Sequence, residues 1–502
     1  MTETADSLPI VVDAFRGPFT GPHPKWALRG WLLICGIWSV AALVASDTEL
    51  SVLWGVAISV LALCLFTYLT ARGRMFLTPA FLGLVFGTGY SLSFGALVTR
   101  SEVLPSEGWG SVGRFAFTNQ DMVSPMLVIV AGVLGIAGGT RIAESLWSSL
   151  RTRPILRRQD NPSMTSLASW ALASGFVIAI CAVLGIGRVG LSDSTLLPFK
   201  LAGILVVVRG YLLPALGGLL VQRAVTARGQ GRLFQTLLLL TCVGAAATFS
   251  AVSRGLGGAY MVPAILYAIA RQSSFRLPLR RFASALSLVV LVLVVGGSIV
   301  TMQRNTLYFG DGWMSLSELT SQTEGVSDFS EGAFSTFSGL LGGRLSGIDV
   351  FLALVSGPGV HPDPTIPLKV FVGDDDLSQS LVIETLGFAP AGSEGTGGLA
   401  FGIGFTLWGI LALGGTILMP FLGTALLMIF VCSIEGLLTR FGEEGMGAVL
   451  GCLVALNAWG APTWFYVSRQ VAVVAVCLLI ARRGSKAMEA PFFAGIGVAR
   501  RA

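Results

Sequence analysis

The sequence predicts an all-α, polytopic integral membrane protein with about twelve transmembrane helices and one large extracytoplasmic loop. Three observations predict it. Only 12% of the 502 residues are charged, and the mean hydropathy is +0.78. Soluble domains carry roughly 25% charged residues. Runs of about 20 apolar residues recur along the chain, the length a helix needs to cross a bilayer and too long for the strands of a barrel. Finally, every second connector between these runs is rich in arginine, as the positive-inside rule requires of cytoplasmic loops.

Taken in order, the apolar runs place spans at 27–46, 51–71, 76–98, 122–140, 165–187, 200–222, 233–252, 257–270, 283–302, 403–433, 446–460 and 464–481. Residues 1–26 form a cytoplasmic tail. They lack the basic-then-apolar pattern of a signal peptide, so the first span is expected to be an uncleaved anchor. Lys25 and Arg29 precede or open that span, and Arg72 and Arg74 follow the second. Arg141, Arg151, Arg153, Arg157 and Arg158 follow the fourth span, and Arg223, Arg228 and Arg232 the sixth. Arg271, Arg276, Arg280 and Arg281 follow the eighth, and Arg482, Arg483 and Lys486 the last. Both termini are therefore predicted to be cytoplasmic. The membrane domain divides into about nine spans over 27–302, the extracytoplasmic loop 303–398 and the last three spans over 399–483, with a cytoplasmic tail at 484–502.

The stretch 397–434 carries no charge for 38 residues. That length has room for two short spans, but the charge alternation favours one long span, so Gly397 to Gly404 reads as an interfacial or re-entrant lead-in. The glycines Gly255, Gly257 and Gly258 before the short eighth span suggest a backbone that dips into the membrane. All seven cysteines lie in predicted spans without a CxxC spacing, which argues against disulfides or a thiolate metal centre. The +6 net charge is spread over short connectors and predicts no nucleic-acid partner.

The loop holds twelve acids and, besides its border residue Arg304, two bases, Arg344 and Lys369. Within it, Leu341, Leu345, Ile348 and Leu352 recur at helical spacing and predict an amphipathic helix near 340–355 at the outer membrane surface. The flanks 305–337 and 356–398 are expected to be irregular.

Arginine dominates the residues with chemical potential. Arg254 (SRGLGG) falls in a very short outward turn, where a planar, permanently charged fork suits a phosphate or a lipid headgroup. Arg344 (GGRLSGID) follows two glycines that allow close approach, with a structural salt bridge as the plain alternative. Arg209 (VVVRGYL) lies inside the sixth span, where a charge is functional by default, pairs with a neighbouring helix, or marks a helix broken near Pro214. Arg469 lies nearer the outside and can snorkel, and Arg188 and Arg304 sit at outward span ends that suit interfacial anchors. Asp349 and His361 are the candidates for orienting or deprotonating an acceptor, although Pro362 and Pro364 also fit His361 to a plain turn. Asp374, Asp375 and Asp376 read as a solvated turn rather than a metal site, and no Walker, GxSxG or HExxH motif occurs.

Three stretches, SRGLGGAYMVPAILYAIAR (253–271), GGRLSGIDVFLAL (342–354) and FGIGFTLWGILALGG (401–415), together with the span count and the late outward loop, resemble the Wzy-type O-antigen polymerases, polysaccharide repeat-unit polymerases of the polymerase/ligase group. The resemblance implies a GT-C-like membrane glycosyltransferase in a bacterial cytoplasmic membrane, working without metal or other cofactor. Its donor and acceptor would be polyprenyl-diphosphate-linked glycans among membrane lipids, and its candidate protein partners a flippase and a chain-length regulator. The resemblance implies Arg254 and Arg344 as diphosphate clamps, Asp349 or His361 at the acceptor, and Arg188, Arg209, Arg304 and Arg469 as further substrate-binding residues. An O-antigen ligase-like transferase, a lipid-linked oligosaccharide flippase and a non-catalytic scaffold are the alternative readings.

Overall fold

The computed structural model describes residues 76–86, 123–149, 162–187, 201–227, 230–251, 254–271, 362–372, 406–460 and 467–481, with single positions elsewhere. These form α1 (78–86), α2 (Val123–Ser149), α3 (Met164–Val183), α4 (Leu201–Thr226), α5 (Gln230–Ala251), α6 (Arg254–Ala270), α7 (Ile366–Val372), α8 (Thr406–Ala412), α9 (Leu418–Arg440), α10 (Glu444–Gly460) and α11 (Val467–Ala481). No strand occurs among the described residues. Five helices, Ser124–Trp147 within α2, Met164–Val183, Leu201–Thr226, Gly231–Ala251 and Leu418–Arg440, are long and apolar enough to cross a bilayer. The protein is thus helical and has the composition of a multi-pass membrane protein. The expected spans 27–46, 51–71 and 283–302 lie outside the described residues apart from isolated positions.

Burial separates core from periphery. Helix α10 is the most enclosed, with Ala448, Val449, Leu450, Cys452, Val454 and Ala455 fully buried. It packs against α4, α6 and α9, while α2 lies along α9, and α5 fills the space between α3 and α6. Helix α3 is peripheral, exposing Leu172, Phe176 and Val183. An apolar helix that shows large aliphatic and aromatic side chains outward has the surface a lipid chain requires.

Local sequence explains the element ends. Ser163 caps α3 by accepting from the Ser166 N–H at 3.0 Å. The same helix ends with Gly185 at φ 70°, where the Ile186 N–H reaches the Cys181 carbonyl, a Schellman closure.

Three expectations change. The single long span over 403–433 is instead α8, a break at Leu413–Ile417, and then α9. Gly414 and Gly415 bond back to Leu411 and Ala412, and Gly415 takes φ 80°, a left-handed turn that suits glycine. The arm after His361 is not all irregular: Asp363 accepts from the Thr365 N–H and hydroxyl at 2.8 Å and starts α7. Its N–H also reaches the Leu413 carbonyl at 2.8 Å, which ties this arm of the loop to the break. The two Thr365 donors hold the Asp363 carboxyl below the usual carboxylate range. Finally, α6 begins at Arg254 rather than near 257, and Gly257 serves helix contact, because a Cβ there would collide with Thr248 Oγ1 of α5. Of the helix expected near 340–355, the described residues Phe351, Leu354 and Val355 are helical. Phe351 and Leu354 are buried, and a Cβ on Gly409 of α8 would stand 2.9 Å from Leu354.

Candidate functional site

Connectors assigned to one side by charge gather at one end of the bundle. The predicted inward end joins the start of α1, the ends of α4, α6 and α9, and the start of α10. Glu435 of α9 accepts from the N–H groups of Leu77 and Thr78 and from the Thr78 hydroxyl at 2.6, 3.1 and 2.8 Å. A carboxylate thereby caps a helix in another part of the chain, meeting N–H groups that have no intrahelical acceptor. Arg271 pairs with Glu444, and the Tyr267 hydroxyl donates to the same carboxylate at 3.4 Å. Gln222 donates to the Gly442 carbonyl at 2.6 Å and accepts from the Gly445 N–H at 2.7 Å. Glu443, in the connector between α9 and α10, has its carboxyl pushed up by burial, with the Arg223 charge opposing.

The predicted outward end holds the candidate site. Its centre is Arg209, 2% exposed and nine residues into α4, counting from Leu201. The helix does not break near Pro214. It widens into one π turn, Val208–Leu212, whose Leu213 N–H reaches back five residues to the Val208 carbonyl. The cause is legible in VVVRGYLLP. Proline at 214 has no N–H for the Gly210 carbonyl and crowds it sterically, so the turn before it opens. Two consequences meet at Arg209. The Leu213 N–H, its ordinary helical partner, has gone to Val208, and residue 214 has no N–H to offer. The Arg209 carbonyl is therefore released, and it accepts from the Tyr260 hydroxyl of α6 at 2.5 Å.

The guanidinium is aimed by two neighbours. Its Nη2 donates to the Gly187 carbonyl at 2.9 Å, and its Nη1 to the Ser250 hydroxyl at 3.3 Å. The Ser250 proton is engaged on the Ala247 carbonyl, which leaves its lone pairs for the arginine. Gly187 is required twice over: its φ is 62°, and a Cβ would stand 2.7 Å from Arg209 Nη2.

Two other predicted residues share this end. Arg469, on the first turn of α11, lies over α4, with its Nη2 3.8 Å from where a Cβ on Gly203 would be. Gly203 precedes Arg209 by six residues, about 9 Å along a helix. Arg254 is the first residue of α6, four residues after Ser250. The Arg254 side chain and Arg188, Arg304, Arg344, Asp349, His361 and the Asp374–Asp376 run lie outside the described residues. No group of three or more metal-ligating side chains occurs among the described residues.

Sequence reasoning missed Gly187, Ser250 and Tyr260. Only Pro214 and the LGIGR turn signal the geometry, since no local pattern tells which tyrosine in an apolar helix faces a released carbonyl. It also missed the inward clasp, whose members are ordinary residues at span ends. The chain matches no family model, no curated protein and no solved structure.

Proposed function

We propose that the protein is a membrane glycosyltransferase that polymerises polyprenyl-diphosphate-linked oligosaccharide repeat units on the outer face of the cytoplasmic membrane. The wider frame of this reading is a GT-C-like fold of about twelve spans with both termini cytoplasmic. The observation that carries it is Arg209, a cation buried in an apolar helix and aimed by Gly187 and Ser250. A charge inside a membrane-spanning helix is costly and marks a functional site by default. With Arg254 and Arg469 at the same end, the site suits a diphosphate whose polyprenyl tail stays in lipid. Preorganised guanidinium groups stabilise the charge that develops as the diphosphate leaves. A hydroxyl of the second lipid-linked unit forms the new glycosidic bond and gives up its proton to a base, the role the resemblance implies for Asp349 or His361. The bond from the anomeric carbon to the diphosphate breaks, and polyprenyl diphosphate departs.

The test is Arg209→Ala alongside Arg209→Lys, each at wild-type membrane level. Long polymer should disappear in the alanine variant while single lipid-linked units accumulate outside. The lysine variant should be impaired too, because a point charge cannot reproduce the two-pronged fork. Polymer of normal length in Arg209→Ala would overturn the assignment.

The interruption between α8 and α9 favours a second reading, a lipid-linked oligosaccharide flippase, because discontinuous helices are a hallmark of transporters. Accumulation of units on the cytoplasmic face of a null strain would select it.

A further inference from the structure

Two polar side chains at the end that holds Arg209 play no part in the reading so far. Trp459 is the last residue but one of α10, and Gln470 the fourth of α11. The two helices are consecutive, so both side chains lie within roughly one turn of the same end. Trp459 is 0% exposed and Gln470 1%. Neither the Trp459 indole N–H nor either polar atom of the Gln470 carboxamide has a hydrogen-bond partner among the described residues.

Gln222 shows how unusual this is. That carboxamide, also fully buried, donates to Gly442 and accepts from Gly445. Asn457, one turn before the end of α10, also spends its amide on the Leu453 carbonyl. An unmet buried polar group costs about 1–3 kcal/mol, and a methionine at 470 would avoid that cost. A glutamine there makes sense if a ligand completes it. The required chemistry follows from the groups. An indole N–H only donates, whereas a carboxamide both donates and accepts, and a hydroxyl answers both. The ligand that answers both groups is therefore a polyol.

We propose that Gln470 and Trp459 form the neutral half of the substrate site and bind sugar hydroxyls of the lipid-linked glycan. This rests on the proposed function, whose arginines would take the diphosphate. A site built to hydrogen-bond a hydroxyl discriminates strongly against a ligand that lacks it.

The test uses the full-length protein in phospholipid nanodiscs and two probes, undecaprenyl diphosphate and the lipid-linked oligosaccharide extracted from producing cells. Without ligand, Gln470→Met should melt at or above the wild-type temperature. It should bind the glycan-bearing lipid about tenfold more weakly, the effect of about 1.4 kcal/mol. Its affinity for bare undecaprenyl diphosphate should be unchanged. Trp459→Phe provides the same comparison should the methionine variant fold poorly. Wild-type affinity of both variants for the glycan-bearing lipid would overturn the inference. So would a wild-type protein that binds both lipids equally, although the diphosphate reading would survive. A wild-type protein that binds neither lipid would remove the proposed function, and this inference with it.

Discussion

At the predicted inward end, Arg271 meets Glu444, Glu435 caps α1, and Gln222 bridges two backbone positions of the α9–α10 connector. At the outward end, Arg209 holds one carbonyl and one hydroxyl, and Gln470 holds nothing among the described residues. Both ends bury polar groups in an apolar protein, but they use them differently. Most inward groups complete one another across five helices and form a clasp, Glu443 Oε2 being the buried atom there without a hydrogen-bond partner among the described residues. The outward end also holds Trp459 and Gln470, whose buried polar atoms have no hydrogen-bond partner among the described residues. Buried polarity alone therefore does not identify function; what completes it does.

Breaking the clasp should produce the largest effect. Glu444→Ala removes the carboxylate that Arg271 meets in a largely buried setting and should cost about 3–5 kcal/mol. Thermal unfolding in nanodiscs checks this. The double replacement Arg271→Met with Glu444→Leu should recover most of the loss, because two apolar groups leave no charge behind. No recovery would mean that the ion pair does more than hold helices together.

Tyr260→Phe sharpens the comparison at the other end. It removes one hydrogen bond and leaves the Arg209 carbonyl buried, a cost of about 1–3 kcal/mol. Polymer length should fall by more than the loss of folded protein explains, because the π turn that aims Arg209 loses its outer support. Proportionate losses of protein and polymer would make Tyr260 merely structural.

The smallest effect tests whether the clasp is strained anywhere. Burial raises the Glu443 carboxyl above its unfolded value. The associated stability is therefore fully present below the unfolded carboxylate pKa of about 4.3. It is lost as pH rises through the higher folded value. Glu443→Gln stays neutral, so at neutral pH it should melt slightly above wild type, on the order of 1 °C. The difference should close on acidification, as unfolding curves at the two pH values would show.

The helical class was legible because membrane spans declare themselves by length and apolarity. Four of the five long helices fall close to the sequence expectation, with ends displaced by up to seven residues, whereas the fifth, Leu418–Arg440, was expected to begin at 403. Span edges were less legible because α4 carries Arg223 in its last turn and α6 starts on Arg254, so charges cross the boundaries that hydropathy draws. The 397–434 stretch misled because its interruption comes from glycine geometry at Gly414 and Gly415, which hydropathy averages away. Arg209 was visible as a charge inside a span, but its setting was not. Gly187, Ser250 and Tyr260 come from three other segments, and long-range contacts leave no periodic trace.

The π turn at Val208–Leu212 also ties the arginine's setting to the length of the chain. Such a turn accommodates one residue more than an α-helix of the same rise. Deleting a single residue there would take up that extra residue and leave the segments on either side nearly in place. Every apolar side chain would keep its chemistry, and hydropathy would barely register the loss. A change of length by one, rather than any change of residue type, is thus enough to remove the wide turn that holds Arg209.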